Sequence, residues 1–195
     1  MLIRHRGHEP VVEPSAYIAP TATLVGQVRV GPRARVMYGA VLDAEDGAIE
    51  VGEASVICEN AVLRGDVTLG DHVFVGPHAT LLGCQVGRCA YLATGATVLQ
   101  DAVLGAGVVI AIGATAHAGC VLPDEFFVPP NTVAIDGQVY APGDPAMSEA
   151  ISKLGFARRA FGVETAWESR IRRGEEMAEI RAAQFAAHVD DEIVG

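Results

Sequence analysis

The stretch from Val51 to Leu82, VGEASVICENAVLRGDVTLGDHVFVGPHATLL, places an aliphatic residue at every sixth position: Val51, Ile57, Leu63, Leu69, Val75 and Leu81. Four positions after each of the first five comes a second, mostly small residue: Ser55, Ala61, Val67, Val73 and Ala79. A helix repeats at 3.6 and a strand at 2, so neither accounts for a period of six. A fixed short period reports a solenoid, and a hexad reports a parallel β-helix. The same register runs back through Ile18, Leu24, Val30, Val36 and Leu42. It runs forward through Val86, Leu92, Val98, Leu104, Ile110, Ala116, Leu122 and Val128. Three hexads make one triangular coil, so residues 18–133 are expected to form an all-β solenoid of about six coils.

Around that block, residues 1–17 read as a lead-in kept extended by Pro10 and Pro14. Residues 134–145 read as a connector with Gly137, Pro142, Gly143 and Pro145. Residues 146–195 read as C-terminal α-helices, one over 146–160 and one over 163–187, separated by Gly162. The second carries Val163, Trp167, Ile171, Met177, Ile180 and Phe185 on a side that packs on the solenoid or on a neighbouring subunit. Arg170, Arg172, Arg173, Glu175, Glu176 and Glu179 read as its solvated face. Gly26, Gly31, Gly52, Gly70, Gly76, Gly87, Gly105 and Gly113 are expected at corners that need unusual dihedrals.

Two irregularities break the count. Three extra residues lie between Leu42 and Val51, and one is missing between Leu81 and Val86. Such excursions map to loops on one face or corner, either functional or incidental.

Composition narrows the function. The 195 residues are half hydrophobic, yet no apolar run approaches the ~20 residues that span a bilayer. No membrane partner is expected, and without a signal-like leader a cytoplasmic location is the default. The net charge of −10 disfavours binding to nucleic acid. Cys58, Cys84, Cys89 and Cys120 have no CxxC spacing and are expected as free thiols, not as a metal cluster.

Because residues one coil apart stack, the register predicts neighbours. One column is Asp43, Arg64, Leu82, Leu99, His117, and another is Tyr38, Glu59, Pro77, Thr94. Asp43 and Arg64 are therefore expected within pairing reach on adjacent coils.

Four segments carry a family likeness. Met37-Tyr38-Gly39-Ala40-Val41-Leu42 resembles a "WYGAVL" segment, and Ser55 to Leu63 resembles "TNIQDNVVI". Val75 to Cys84 resembles "IGHGAVLHGC", and Thr94 to Leu99 resembles "MGAVVL". These belong to the γ-carbonic anhydrase-like branch of the hexapeptide-repeat transferase superfamily, and the likeness is collinear over residues 10–133. It implies a left-handed β-helix, a homotrimer, and zinc held between subunits by three histidines. Here those histidines would fall on Arg64, Pro77 and Leu82, which offer no zinc donor. No metal is therefore expected, and the γ-carbonic anhydrase mechanism is not.

What the likeness leaves is a polar cluster of Tyr38, Asp43, Glu45, Cys58, Glu59, Arg64 and His78. Arg64 would bind an anionic or carbonyl group through its planar fork, with Asp43, Glu45, Tyr38 and His117 around the substrate. Glu59 or Glu45 would act as base, or His78 as acid–base, and Cys58 as nucleophile if Arg64 lowers its pKa. The expected ligand is a small anionic or acylated metabolite at an inter-subunit cleft, with no cofactor. Two other readings stand beside it. One is a coenzyme A-dependent acyltransferase using His78 or His117. The other is a non-catalytic trimeric scaffold in which an Asp43–Arg64–Glu59 network is purely structural. His5, His8 and His188 read as terminal surface residues.

Overall fold

The computed structural model describes residues 1–163 and 170–194. Three parallel sheets wrap one apolar interior. The first contains Leu2–Arg4, Thr23–Val25, Val41–Asp43, Val62–Arg64, Thr80–Leu82, Thr97–Val98, Thr115–Ala116 and Val133–Ile135 in parallel order. The other two hold seven strands each, so the solenoid makes about seven coils. The chain visits the first, second and third sheets in turn, giving the three-sided parallel β-helix that the hexad period predicts.

The seventh coil comes from the lead-in. Leu2–Arg4 pairs with Thr23–Val25, Val11–Val12 with Val28–Val30, and Tyr17–Ile18 with Arg35–Val36. Proline fixes φ in the extended range, so residues 1–17 lie flat as a coil although their hexads are incomplete. The connector likewise contains a hairpin, with Gln138–Tyr140 antiparallel to Val133–Ile135.

The hexad aliphatics form the core. Leu24, Leu42, Ile57, Leu63, Leu81, Leu92 and Ile110 are fully buried and belong to one continuous cluster. The polar member of the alternate series, Ser55, is also fully buried. Its hydroxyl donates to the Gly70 carbonyl and accepts from the Val73 N–H, both at 2.9 Å, so its polarity is satisfied.

Gly26 and Gly113 take the expected positive φ, +75° and +64°, but the other six glycines work differently. Gly31, Gly52, Gly70, Gly76, Gly87 and Gly105 do not have positive φ, whereas Arg33, Ala54, His72, His78 and Cys89 do. The glycines are needed because the next coil approaches too closely for a Cβ. One built on Gly52 would lie 2.4 Å from the Gly70 carbonyl carbon, and one on Gly70 2.7 Å from the Arg88 nitrogen.

Three helices follow: α1 (Pro145–Leu154), α2 (Phe156–Phe161) and α3 (Arg170–Phe185). The expected single helix over 146–160 is divided because Gly155 takes a left-handed cap. Asp144 caps α1 by accepting from the Ala146 N–H. Trp167 lies outside the described residues. Ile171 is 79% exposed, so it does not belong to the packed side, and Arg173 is buried rather than solvated. A 3-10 turn, Ala186–Asp190, follows α3, and the strand Glu192–Ile193 then pairs antiparallel with Leu2–Arg4. Among the described residues, no helix is long and apolar enough to cross a membrane.

Two glycines of opposite character test this account. Gly52→Ala is expected to lower stability by about 1–3 kcal/mol, because backbone must move to admit the methyl. Gly174→Ala, inside α3 with open space around it, is expected to raise stability by up to about 1 kcal/mol. Urea unfolding of each variant measures both.

Candidate functional site

The register prediction at Asp43 and Arg64 is met. Arg64 pairs with Asp43 on one side and Leu82 on the other. The guanidinium Nη2 donates to Asp43 Oδ2 at 3.2 Å. Its Nε lies 3.0 Å from Glu45 Oε1 but off the N–H axis, so this contact is an ion pair without a well-aligned hydrogen bond. Asp43 is nearly sealed and also accepts from the Glu45 N–H at 3.0 Å.

Both irregularities in the hexad count fall at the corner between the first and second sheets. The three-residue insertion lifts Glu45 off the coil, with φ of +51°, so that its carboxylate turns back to Arg64. The deletion leaves Gly83, with φ of +48°, as a tight turn one coil further on. Arg64 sits on the coil between them, and the C-terminal segment docks on this corner. The Phe185 ring lies 4.5 Å from the Arg64 guanidinium carbon, a cation–π contact. Arg181 Nη1 stands 3.6 Å from Glu45 Oε1, which therefore lies between two guanidiniums. Arg181 also donates to the Gln184 side chain and the Ala160 carbonyl.

An open cleft of about 180 Å³ remains between solenoid and helices. Glu45, Arg64, Leu82, Gln100, Arg181 and Gln184 are among its lining residues. The buried Gln100 Oε1 there has no hydrogen-bond partner among the described residues, and the part-exposed Arg64 guanidinium lines the same cleft.

The rest of the predicted cluster lies elsewhere. Tyr38, Cys58, Glu59 and His78 occupy the corner between the third and first sheets. A five-residue strand passage, roughly 16 Å, separates Glu59 from Arg64. Within one chain Glu59 is therefore not a partner of Arg64, and Glu45 takes that place. Tyr38 and His78 are exposed, with the Tyr38 hydroxyl 3.5 Å from that of Tyr17. Cys58 is buried, and its thiol is pushed up by that burial and by the Glu59 carboxylate. That is the reverse of the activation expected from Arg64, so a nucleophilic Cys58 is not supported within the chain.

His117 is buried, and its Nδ1 accepts from the Ala118 N–H at 2.8 Å. The neutral ring therefore carries its proton on Nε2. Burial lowers its pKa from the ordinary 6.5.

Sequence reasoning missed the chain ends. His5 is 2% exposed and stacks on His188 with ring centroids 4.4 Å apart. Asp191 bridges the pair, with Oδ1 2.5 Å from His5 Nδ1 and Oδ2 2.9 Å from His188 Nδ1. Burial raises the Asp191 pKa, but hydrogen bonds from His188 and His5 outweigh it and hold the carboxyl below the usual range. The sequence holds no signal for this group, because His5 and His188 lie outside the hexads and meet only when the C-terminal strand returns to the first coil.

The family model for bacterial transferase hexapeptide, with six repeats, matches residues 48–83. The chain is a hexapeptide-repeat protein. It is 30% identical over 161 residues to γ-carbonic anhydrase 2, mitochondrial, of Arabidopsis thaliana, a match covering 74% of this chain and 53% of that one. The chain spans about half the length of the first curated relatives it matches. A crystal structure of a hexapeptide transferase family protein from Anaplasma phagocytophilum superposes with a TM-score of 0.66 at 25% identity, covering 93% of this chain and 97% of the other. Perosamine N-acetyltransferase from Caulobacter crescentus, solved in complex with CoA and GDP-perosamine, superposes with a TM-score of 0.50 at 26% identity. That match covers 68% of this chain and 56% of the other.

Removing the guanidinium leaves the nearly sealed Asp43 with less compensation. Arg64→Ala is expected to cost about 1–3 kcal/mol in urea unfolding. The lower end is favoured because the Arg64 side chain is 32% exposed and part of its interaction is screened. Amide exchange over Ala186–Asp190 should rise with it, since Phe185 loses the cation it covers. His117 generates a pH prediction of opposite sign to a paired histidine. Its folded pKa is depressed, so it contributes fully above about 6.5 and loses that contribution as the pH falls toward the lower folded value. His117→Asn should flatten the decline of the urea midpoint between about pH 7 and 5.

Proposed function

We propose that the cleft around Arg64 binds a small carboxylate-bearing or acylated metabolite without zinc. The observation that carries the proposal is a buried Gln100 Oε1 acceptor without a hydrogen-bond partner among the described residues, in the same cleft as the part-exposed Arg64 guanidinium. A ligand complementary to both presents a carboxylate or carbonyl oxygen to Arg64 and an O–H or N–H to Gln100. Small hydroxy- and amino-carboxylates have that combination. Glu45 is the carboxylate placed to take a proton from such a ligand, and Arg181 balances its charge.

The zinc of the γ-carbonic anhydrases does not fit this reading. Of the three positions that the resemblance aligns with its ligands, Arg64 and Leu82 stand side by side. Neither they nor Pro77 offers a lone pair to a metal. The cation at this place is Arg64 itself, held by two carboxylates.

A homotrimer completes the proposal. The outer side of the third sheet carries Val56, Phe74, Tyr91, Val109 and Phe127, with the Phe74 and Tyr91 rings stacked at 4.9 Å. A continuous apolar face of this kind is the surface on which a second copy packs. Packing along it would cover the adjoining corner with Glu59 and His78, giving them a neighbour's site to reach.

Calorimetric titration with a panel of small hydroxy- and amino-carboxylates tests the binding reading. Saturable binding is expected, weakened about tenfold or more by Gln100→Leu and by Arg64→Lys, which loses the planar fork. No binding across the panel, or binding unchanged in both variants, overturns it. Coenzyme A in the same titration tests acyl transfer, the second reading, which the likeness to the perosamine N-acetyltransferase favours. Phe74→Arg should reduce the mass measured by light scattering from three chains to one.

A further inference from the structure

We propose that His5, His188 and Asp191 form a binding site for a divalent transition metal of the zinc, cobalt or nickel class. The site lies where the C-terminal segment closes on the first coil, and it is independent of the cleft proposed above. One ligand atom from each residue lies within 4.8 Å of the others. Two imidazole nitrogens and one carboxylate oxygen are a donor set suited to borderline divalent ions, and unsuited to calcium or magnesium, which prefer oxygen alone. His5 is buried and His188 and Asp191 are largely covered, so the donors are held in place before any ion arrives.

The hydrogen-bond pattern is compatible with a metal at this place. The Nδ1 atoms of both rings point at the same carboxylate. A neutral His188 that donates from Nδ1 carries a lone pair on Nε2. That Nε2 faces another acceptor, Asp43 Oδ2, at 3.7 Å. Two acceptors facing each other repel, and the neutral ring cannot satisfy both sides. Either a second proton on the ring or a metal on Nδ1 resolves the conflict; with the metal, the remaining proton resides on Nε2 and points to Asp43. A ligating imidazole whose other N–H is directed at a carboxylate is the usual outer arrangement of a histidine metal site. Here Asp43 fills that outer role and joins the site to Arg64.

Three protein donors leave coordination positions open. A small cavity of about 20 Å³ lined by His5, Arg6, Glu45, Asp46, Gln184 and His188 opens beside the two imidazoles, giving room for a water as a further ligand. His188 follows Phe185 by three residues, so the bound ion would pin the segment that lays Phe185 over Arg64.

The test is titration of the chelator-treated protein with zinc chloride, followed by calorimetry and by thermal unfolding. One ion per chain is expected, with a rise in Tm that excess chelator reverses. His188→Gln and Asp191→Asn should each weaken binding by about tenfold or more, whereas His72→Ala and His78→Ala should leave it unchanged. Circular dichroism confirms that each variant is folded. Cobalt bound to the unmodified protein gives a second readout that needs no variant, since visible d–d absorption with nitrogen and oxygen donors should appear at one equivalent. The proposal is overturned if zinc neither binds stoichiometrically nor shifts Tm, if cobalt shows only its aquo spectrum, or if folded His188→Gln binds like the unmodified chain. In each of those cases the trio is a hydrogen-bonded clasp and nothing more.

Discussion

The backbone hydrogen bonds that tie each coil to the next place every side chain of the site. In a parallel ladder the register is set by the interior: a one-residue slip would carry Leu42, Leu63 and Leu81 out of the core and bring polar neighbours in. Because that slip is so unfavourable, outward residues are held in columns as strictly as inward ones. Asp43 meets Arg64 for this reason, and so does the glycine ladder. Coils spaced for backbone bonding leave no room for a Cβ where one turn lies directly over another.

A regular solenoid offers flat, repetitive sides, and a cleft needs a departure from the repeat. Both departures occur at one corner, one coil either side of Arg64. The insertion carries Glu45 outward, and the deletion draws the corner in at Gly83. The C-terminal segment then roofs the recess with Arg181, Phe185 and His188. Charge is balanced locally, with Asp43 and Glu45 acting on Arg64, and Arg181 returning to Glu45. Such mutual compensation is what permits ionised groups to be partly withdrawn from water. The buried Gln100 Oε1, without a hydrogen-bond partner among the described residues, is the exception on which the proposed binding rests.

The family likeness and the geometry agree on the scaffold. Relatives named for γ-carbonic anhydrase match 58% and 74% of this chain. In the function proposed here, the positions that the resemblance assigns to the zinc ligands are taken by Arg64, Pro77 and Leu82. Among the described residues, the donors that we propose take a metal are His5, His188 and Asp191, where the C-terminal segment meets the first coil.

The hexad period was enough to determine the three-sided solenoid, its core and the Asp43–Arg64 contact, because all three follow from local periodicity and stacking. It undercounted the coils, since the first is built from prolines and incomplete hexads that still pair by backbone alone. It also gathered Tyr38, Cys58, Glu59 and His78 with Arg64, although a strand's length separates those corners within one chain. Only the tertiary structure decided what covers Arg64 and what His5 meets. Those contacts join residues more than a hundred positions apart and depend on how an aperiodic C-terminal segment folds back over the coils. Periodicity constrains neighbours one coil away, and it carries no information about a segment that does not share the repeat.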